Sequence, residues 1–143
     1  SSYGYCGCSR NQLVHRGMRV INLIVVHCSA TKADRDFTEQ DLEVCHRRRG
    51  MNGPGYHFYI RKNGDIKTTR PIEKIGAHAR GYNAQSIGIC YEGGVSERGR
   101  PADTRTVWQK HSLACTGQGV AGGLSRLQGL RSSGFKSGFE RKW

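Results

Sequence analysis

A chain of 143 residues with 36% apolar residues can bury one hydrophobic core, so we expect one main domain. No segment approaches the roughly 18 apolar residues of a membrane span or resembles a secretion signal, which predicts a protein that is cytoplasmic as synthesised. The net charge of +12 would favour a polyanion such as nucleic acid or an anionic envelope polymer, but only +5 lies in residues 18–106. No nucleic-acid recognition motif is present, so no nucleic-acid partner is expected.

Three compositional zones divide the chain. Residues 1–17 have neither helical nor strand periodicity and are predicted to be an irregular leader. Residues 18–106 carry strands, caps and turns in mutually consistent places, as a folded domain requires. After Thr106 the apolar residues lose their period and seven glycines occur, so residues 107–143 are predicted to form an irregular tail.

The first elements of the middle zone are a strand and a helix. Residues 21–26 form a continuous apolar run rich in β-branched side chains, typical of a central strand buried on both faces. Thr38 and Asp41 approximate a capping box that begins a helix, which ends before Gly50. Three side chains of this helix are predicted to face the sheet: Leu42, Cys45 and the stem of Arg49.

The arginine run at residues 47–49 allows two interpretations. At the end of the helix it can stabilise the helix dipole, which is the interpretation we favour. Contact with phosphate groups is the alternative.

A hairpin and a further strand follow the helix. Residues 56–60 alternate, Asn63 and Gly64 form a strong turn signal, and residues 66–69 return as the partner strand. Residues 86–91 form another strand. Strands and helices mix along the chain, which predicts an α/β domain with a central mixed β-sheet flanked by helices.

His27 stands at the carboxyl end of the predicted central strand, where α/β domains commonly place ligand and metal sites. On this observation alone, a structural histidine is the competing interpretation. His46 has no partner at ligand spacing and is expected to play no part in a metal site. Glu92 could act as a base or merely end its strand.

Three segments of the middle zone form a pattern defined by their order and spacing. They are VHCSATK at residues 26–32, GYHFYIRKNGDI at 55–66 and GAHARGYNAQSIGIC at 76–90. In these segments the chain resembles the N-acetylmuramoyl-L-alanine amidase family, the phage lysozyme-type zinc amidases related to peptidoglycan recognition proteins. The resemblance covers about residues 18–106. It implies a monomeric protein that binds peptidoglycan or muramyl peptides, uses one Zn²⁺ ion to hydrolyse the amide bond between N-acetylmuramic acid and L-alanine, and acts on the cell wall if released.

The resemblance also assigns site residues. It implies that His27 is the first zinc ligand, that Tyr56 lies beside the metal-bound water, and that His78 and Asn83 line the substrate groove. Zinc with three protein ligands and an open position lowers the pKa of bound water to about 7, which explains why the reaction needs such a site. The alternative is that Tyr56 is simply a core aromatic residue whose hydroxyl group has a hydrogen-bond partner.

The closing segment of the family, which carries a His-Arg-Asp ligand motif, has no counterpart after Thr106. With His27 as the single evident ligand, the chain is expected to bind zinc poorly, because one imidazole cannot replace a three-ligand set. Residues 18–106 are therefore interpreted as an incomplete amidase-like domain, impaired in hydrolysis, with one apolar face of its sheet incompletely covered. A non-catalytic peptidoglycan-binding module is the alternative.

A one-base frameshift between Thr106 and Cys115 would explain the missing segment. Permitted codons for residues 115–143, read one base later, can give ARVRALRAAYPGCKVCGHRDLNPDLNGN. For example, residues 131–135 encoded as CGG TCA TCG GGA TTT shift to Gly-His-Arg-Asp. We predict that sequencing the encoding DNA reveals GHRDLNPD in the shifted frame, and any other reading there excludes the frameshift.

Overall fold

The computed structural model describes residues 19–128 and 135–137. The predicted irregular leader at residues 1–17 lies outside them. In chain order the elements are β1 (Leu23–Cys28), β2 (Thr31–Lys32), α1 (Glu39–Arg48), β3 (Phe58–Ile60), β4 (Ile66–Thr68), a 3₁₀ turn (Asn83–Gln85), β5 (Ser86–Tyr91), β6 (Gly94–Val95), α2 (Val107–Gln128) and β7 (Phe135–Ser137). Among these helices, none has the length and hydropathy that crossing a membrane requires.

A mixed sheet organises the described residues, with five strands in the order β4-β3-β5-β1-β7. Strand β1 pairs in parallel with β5 and β7, and β3 pairs in parallel with β5 but antiparallel with β4. The predicted fold class, a central mixed sheet flanked by helices, is therefore confirmed. Strand β1 lies inside the sheet, as its continuous apolar sequence predicts.

The two faces of the sheet differ in polarity. Side chains alternate between the faces along each strand, and the register of neighbouring strands places paired residues on the same face. His27 of β1 and Tyr59 of β3 both lie beside Cys90 of β5, so all three side chains project to one face. The opposite face is apolar, and its buried core cluster is formed mainly by Ile24, Val26, Cys28, Phe58, Ile60, Ile87, Ile89, Tyr91 and Leu113.

Helix α2 contradicts the expected irregular tail directly after Thr106. Thr106 and Gln109 form a reciprocal cap, in which Thr106 Oγ1 accepts from the Gln109 N–H at 3.1 Å and Gln109 Oε1 accepts from the Thr106 N–H at 2.9 Å. The Gln109 side-chain amide also donates to the Glu92 carbonyl at 2.8 Å. Leu113, one turn further, enters the apolar core. The expectation of an incompletely covered apolar face is therefore wrong where α2 packs on it.

Helix α1 begins at the predicted capping box, because Thr38 Oγ1 accepts from the Asp41 N–H and the Asp41 carboxylate accepts from the Thr38 N–H. Leu42 and His46 are its buried side chains. The prediction that Cys45 and Arg49 face the sheet is wrong, since both are exposed. A spacing of four residues keeps Leu42 and His46 on one helical stripe.

Replacing Thr106 with alanine removes the side-chain acceptor at the start of α2. We expect the free energy of unfolding to fall by about 1 kcal/mol, the usual effect of losing such a cap. Urea denaturation of the Thr106→Ala variant measures this change. Thr68→Ala, at an exposed strand position, is the control and should change stability by less than about 0.5 kcal/mol. Equal stability of the two variants would contradict the role assigned to Thr106.

Candidate functional site

His27 occupies the carboxyl-terminal part of β1 and is completely buried. Its Nε2 atom lies 2.9 Å from Nδ1 of His78, which is also buried, so one imidazole donates and the other accepts. The centroid of the Tyr56 ring lies 5.2 Å from that of His27. The structure thus brings together three residues that the sequence assigns to the site, although His27 and His78 are 51 positions apart in the chain.

The His78 imidazole is held by packing as well as by hydrogen bonding. Its Nε2 lies 3.2 Å from Ser86 Oγ. A Cβ atom built on Gly88 would lie 2.6 Å from two atoms of the ring, so the ring rests against a backbone that has no side chain. Glycine at position 88 therefore provides the space that lets His78 reach His27.

Asn83 stabilises the loop that carries His78. Its Oδ1 atom accepts hydrogen bonds from the backbone N–H groups of His78 at 2.8 Å and Ala79 at 2.9 Å. Asn83 itself is half-buried, at the start of the 3₁₀ turn before β5. In this arrangement Asn83 fixes the backbone of His78, and His78 in turn contacts His27.

Tyr56 is buried in a second cluster together with Leu42, Tyr59 and Cys90. Burial raises the pKa of its phenol far above the ordinary value, and Cys90 and Cys28 add to the effect. Tyr56 therefore remains a neutral hydrogen-bond donor at physiological pH. Its ring lies between His27 and His46, with centroid distances of 5.2 and 5.4 Å.

His46 is a member of this cluster that sequence reasoning missed. Its Nδ1 accepts from the Gly55 N–H at 2.9 Å, and the Gly55 carbonyl accepts from the Ala77 N–H at 3.0 Å. Gly55 and Ala77 directly precede Tyr56 and His78, so His46 fixes the backbone beside both. The signal that could have found His46 is its position four residues after Leu42 on the buried stripe of α1.

His57 lies on the far side of His78, with ring centroids 5.9 Å apart. Burial lowers its pKa to about 4, although the Lys74 carbonyl favours its protonated form. The ring is therefore neutral at pH 7, and its Nδ1 accepts from the Gly88 N–H at 3.0 Å. This bond holds the glycine against which His78 packs, so His57 has a structural role beside the site.

Glu92, which the sequence suggests as either a base or a strand end, is buried and accepts several hydrogen bonds. Its carboxylate accepts from the Phe37 N–H at 2.7 Å, from Arg61 Nε at 2.8 Å and from the Lys62 N–H at 2.9 Å. These contacts join the loop before α1 to the end of β3. Glu92 thus organises the fold around the site and does not face it.

The donor set does not fit a three-ligand metal centre in the part of the chain that the structure describes. His27 and His78 supply adjacent nitrogen donors, but no group of three or more His, Cys, Asp or Glu side chains able to hold a metal is present there. Strand β7 (Phe135–Ser137), which pairs with β1 on the edge of the sheet, consists of Phe, Lys and Ser. None of these three is a usual zinc ligand.

Comparison with known proteins assigns the family. The sequence profile of the N-acetylmuramoyl-L-alanine amidase family, Amidase_2, matches residues 17–126, and the chain belongs to this family. The endolysins of Klebsiella phage KP32 and Escherichia phage T7 are 39% and 38% identical to it over 90 residues, which are 63% of this chain. The chain spans 60% of the length of these endolysins.

Solved structures share the fold. The N-acetylmuramoyl-L-alanine amidase LysC from Clostridium intestinale URNW superposes with a TM-score of 0.66 at 33% identity, covering 82% of this chain and 69% of LysC. Wild-type Drosophila PGRP-LB superposes with a TM-score of 0.59 at 24% identity, covering 85% of this chain and 70% of that protein. The amidase and peptidoglycan-recognition-protein fold implied by the sequence resemblance is therefore confirmed.

Substituting alanine for Gly88 tests the packing of His78. The added methyl group overlaps the imidazole, so we expect a loss of about 1–3 kcal/mol in the free energy of unfolding, measured by urea denaturation. Gly119→Ala is the matched control, because a Cβ there meets nothing within 4 Å and alanine favours a helix. A Gly88→Ala protein as stable as the unsubstituted chain would refute the close packing.

Proposed function

We propose that this chain binds muramyl peptides of peptidoglycan, and that the zinc-dependent hydrolysis of the amide bond between N-acetylmuramic acid and L-alanine is impaired in it. The observation that carries this proposal is the environment of His27. Its Nε2 is hydrogen-bonded to His78, and the described residues provide no closed ligand set around it. Family membership supports peptidoglycan as the target.

Burial of the site supports impaired hydrolysis independently of the ligand count. His27, Tyr56 and His78 are each 1% exposed or less, so a hydrolytic water has no open path to them in this conformation. Tyr56 retains a neutral phenol, which could donate a hydrogen bond to an oxyanion only if substrate came within about 3 Å. Among the described residues the site thus keeps Tyr56 as a neutral hydrogen-bond donor, while His27 and His78 are buried.

A non-catalytic peptidoglycan-binding module is the second candidate, and it differs from an impaired enzyme in having no residual turnover. The connection from Asn83 to His78 favours it, because Asn83 Oδ1 accepts hydrogen bonds from the N–H groups of His78 and Ala79 and so holds the backbone of a predicted groove residue in place. In both cases we expect a monomer that meets its target at the cell wall after release. Sedimentation of the purified chain tests the monomeric state.

The test compares the full chain with a frame-restored version in which residues 115–143 are replaced by the shifted reading, including Gly-His-Arg-Asp. Zinc content is measured by elemental analysis, and binding and cleavage of a soluble muramyl tripeptide by calorimetry and chromatography. We expect the full chain to bind the peptide with far less than one zinc per chain and little or no cleavage. The frame-restored protein should bind about one zinc and cleave the peptide.

The outcomes separate the parts of the proposal. Stoichiometric zinc and chelator-sensitive cleavage by the full chain would contradict the impairment. Failure of the full chain to bind the muramyl tripeptide would contradict the binding function. Slow cleavage above the background of a His27→Ala variant would identify an impaired enzyme, and complete absence of cleavage would identify the binding module.

A further inference from the structure

One guanidinium group contacts both ends of the segment that carries His78. This segment, residues 72–86, belongs to the connection from β4 to β5 and ends at the first residue of β5. Arg19 precedes β1 and is half-buried. Its Nε donates to the Ile72 carbonyl at 2.9 Å, and its Nη1 donates to the Ser86 carbonyl at 2.7 Å. A single side chain thus ties the first residue of the segment to the last.

The shape of the guanidinium group suits this task. Its N–H donors form a rigid planar fork, so hydrogen bonds in two directions fix the side chain and both carbonyls at once. Nη1 also lies 3.4 Å from the carbonyls of Asn83 and Ala84. A lysine ammonium group is a compact point charge and has no such fixed directions. Arg19 therefore holds the 3₁₀ turn before β5 as well as the two ends of the segment.

The residues held by Arg19 contact His78 directly. Ser86, whose carbonyl accepts from Arg19, has its Oγ atom 3.2 Å from His78 Nε2. Asn83, whose carbonyl lies near Nη1, accepts the hydrogen bond from the His78 N–H with its side chain. Arg19 is therefore one residue away from both the ring and the backbone of His78.

A further contact links Arg19 to the backbone against which His78 packs. Arg19 Nη2 lies 2.9 Å from His57 Nε2, and that nitrogen also lies 2.8 Å from the Lys74 carbonyl. Because His57 Nδ1 accepts from the Gly88 N–H, the proton of the neutral ring is on Nε2 and is donated to Lys74, so Arg19 packs against the edge of the ring. Burial is the main cause of the lowered pKa of His57, and the charge of Arg19 adds to it. Arg19 thus favours the neutral ring that holds Gly88.

We propose that Arg19 is a positioning residue, which sets the place of His78 and of the surrounding loop in the groove that binds muramyl peptides. The proposal rests on the binding function proposed above. The same loop presents Tyr82, which is 53% exposed, so its position determines which groups a ligand meets. Arg19 lies outside the three segments that carry the family resemblance, and the resemblance therefore assigns it no role.

The test compares two substitutions of Arg19 with two control variants of the full chain. Arg19→Met keeps an apolar stem and removes the hydrogen bonds, whereas Arg19→Lys keeps the charge. Arg100→Met removes the same charge at an exposed position. Thr106→Ala removes the cap of α2 and is the control for a loss of stability away from the loop.

Two readouts are needed, because a residue with a merely structural role would change stability alone. The first is the Kd of a soluble muramyl tripeptide, measured by calorimetry at a temperature at which thermal unfolding shows every variant to be folded. The second is the set of ¹⁵N NMR signals of the His78 side chain without ligand. Both report on the folded protein, so a change in stability moves neither.

We expect Arg19→Met to weaken tripeptide binding about tenfold, because it leaves buried carbonyls without their donor and releases the loop. Arg19→Lys should weaken it about threefold, since an ammonium group replaces only part of the fork. Both controls should change the Kd less than about twofold. The His78 signals should shift in both Arg19 variants and stay in place in both controls.

Unchanged His78 signals in the Arg19 variants would overturn the positioning role. Shifted signals with an unchanged Kd would also overturn it, because the place of His78 would then not govern binding. Equal weakening by Arg100→Met would show an effect of net charge and exclude the proposal. If the unsubstituted chain does not bind the tripeptide, the proposed function fails, and the His78 signals still decide whether Arg19 positions that ring. If Arg19→Met does not fold, Arg19→Lys provides both readouts.

Discussion

Six consecutive residue pairs join β1 to β5, from Leu23 beside Ser86 to Cys28 beside Tyr91. This parallel register places the alternating residues of both strands on common faces, so the apolar core and the histidine cluster are formed by the same pairing. A shift of one residue would move His27 into the apolar face and Val26 out of it. The site therefore depends on the core, because the pairing of β1 with β5 both buries the apolar side chains and aligns His27 with the residues around it.

The histidine cluster shows how buried polar groups are accommodated beside that core. His46 accepts from Gly55, His57 accepts from Gly88, and His78 contacts His27, so each of these imidazoles has a defined hydrogen-bond partner. Losing one such partner leaves a buried donor or acceptor unsatisfied, which typically costs about 1–3 kcal/mol. These hydrogen bonds therefore hold the buried imidazoles in place, and the bonds from Asn83 do the same for the loop that contains His78.

The sequence predicts the parts of this fold that arise from local patterns. The buried run of β1 and the capping box at Thr38 are each contained within a few residues, so composition and spacing reveal them. The second cap, from Thr106 to Gln109, is equally local. The glycines that follow it are typical of irregular structure, so the sequence did not predict helix α2. The contact of His27 with His78 joins positions 51 residues apart, and only the pairing of β1 with β5 brings them together. The resemblance to the amidase family named both residues, while the hydrogen bond between them required the structure.

Among the described residues, His27 Nε2 is hydrogen-bonded to His78 Nδ1 at 2.9 Å, and we propose that this contact takes the place of a complete metal centre. The direct measurement is ¹⁵N NMR of the histidine side chains in the full chain, before and after addition of one equivalent of zinc. The account predicts that the hydrogen bond between His27 Nε2 and His78 Nδ1 persists, with both ring signals unchanged. Loss of that hydrogen bond, together with the nitrogen shift of a zinc-bound imidazole at His27, would contradict it.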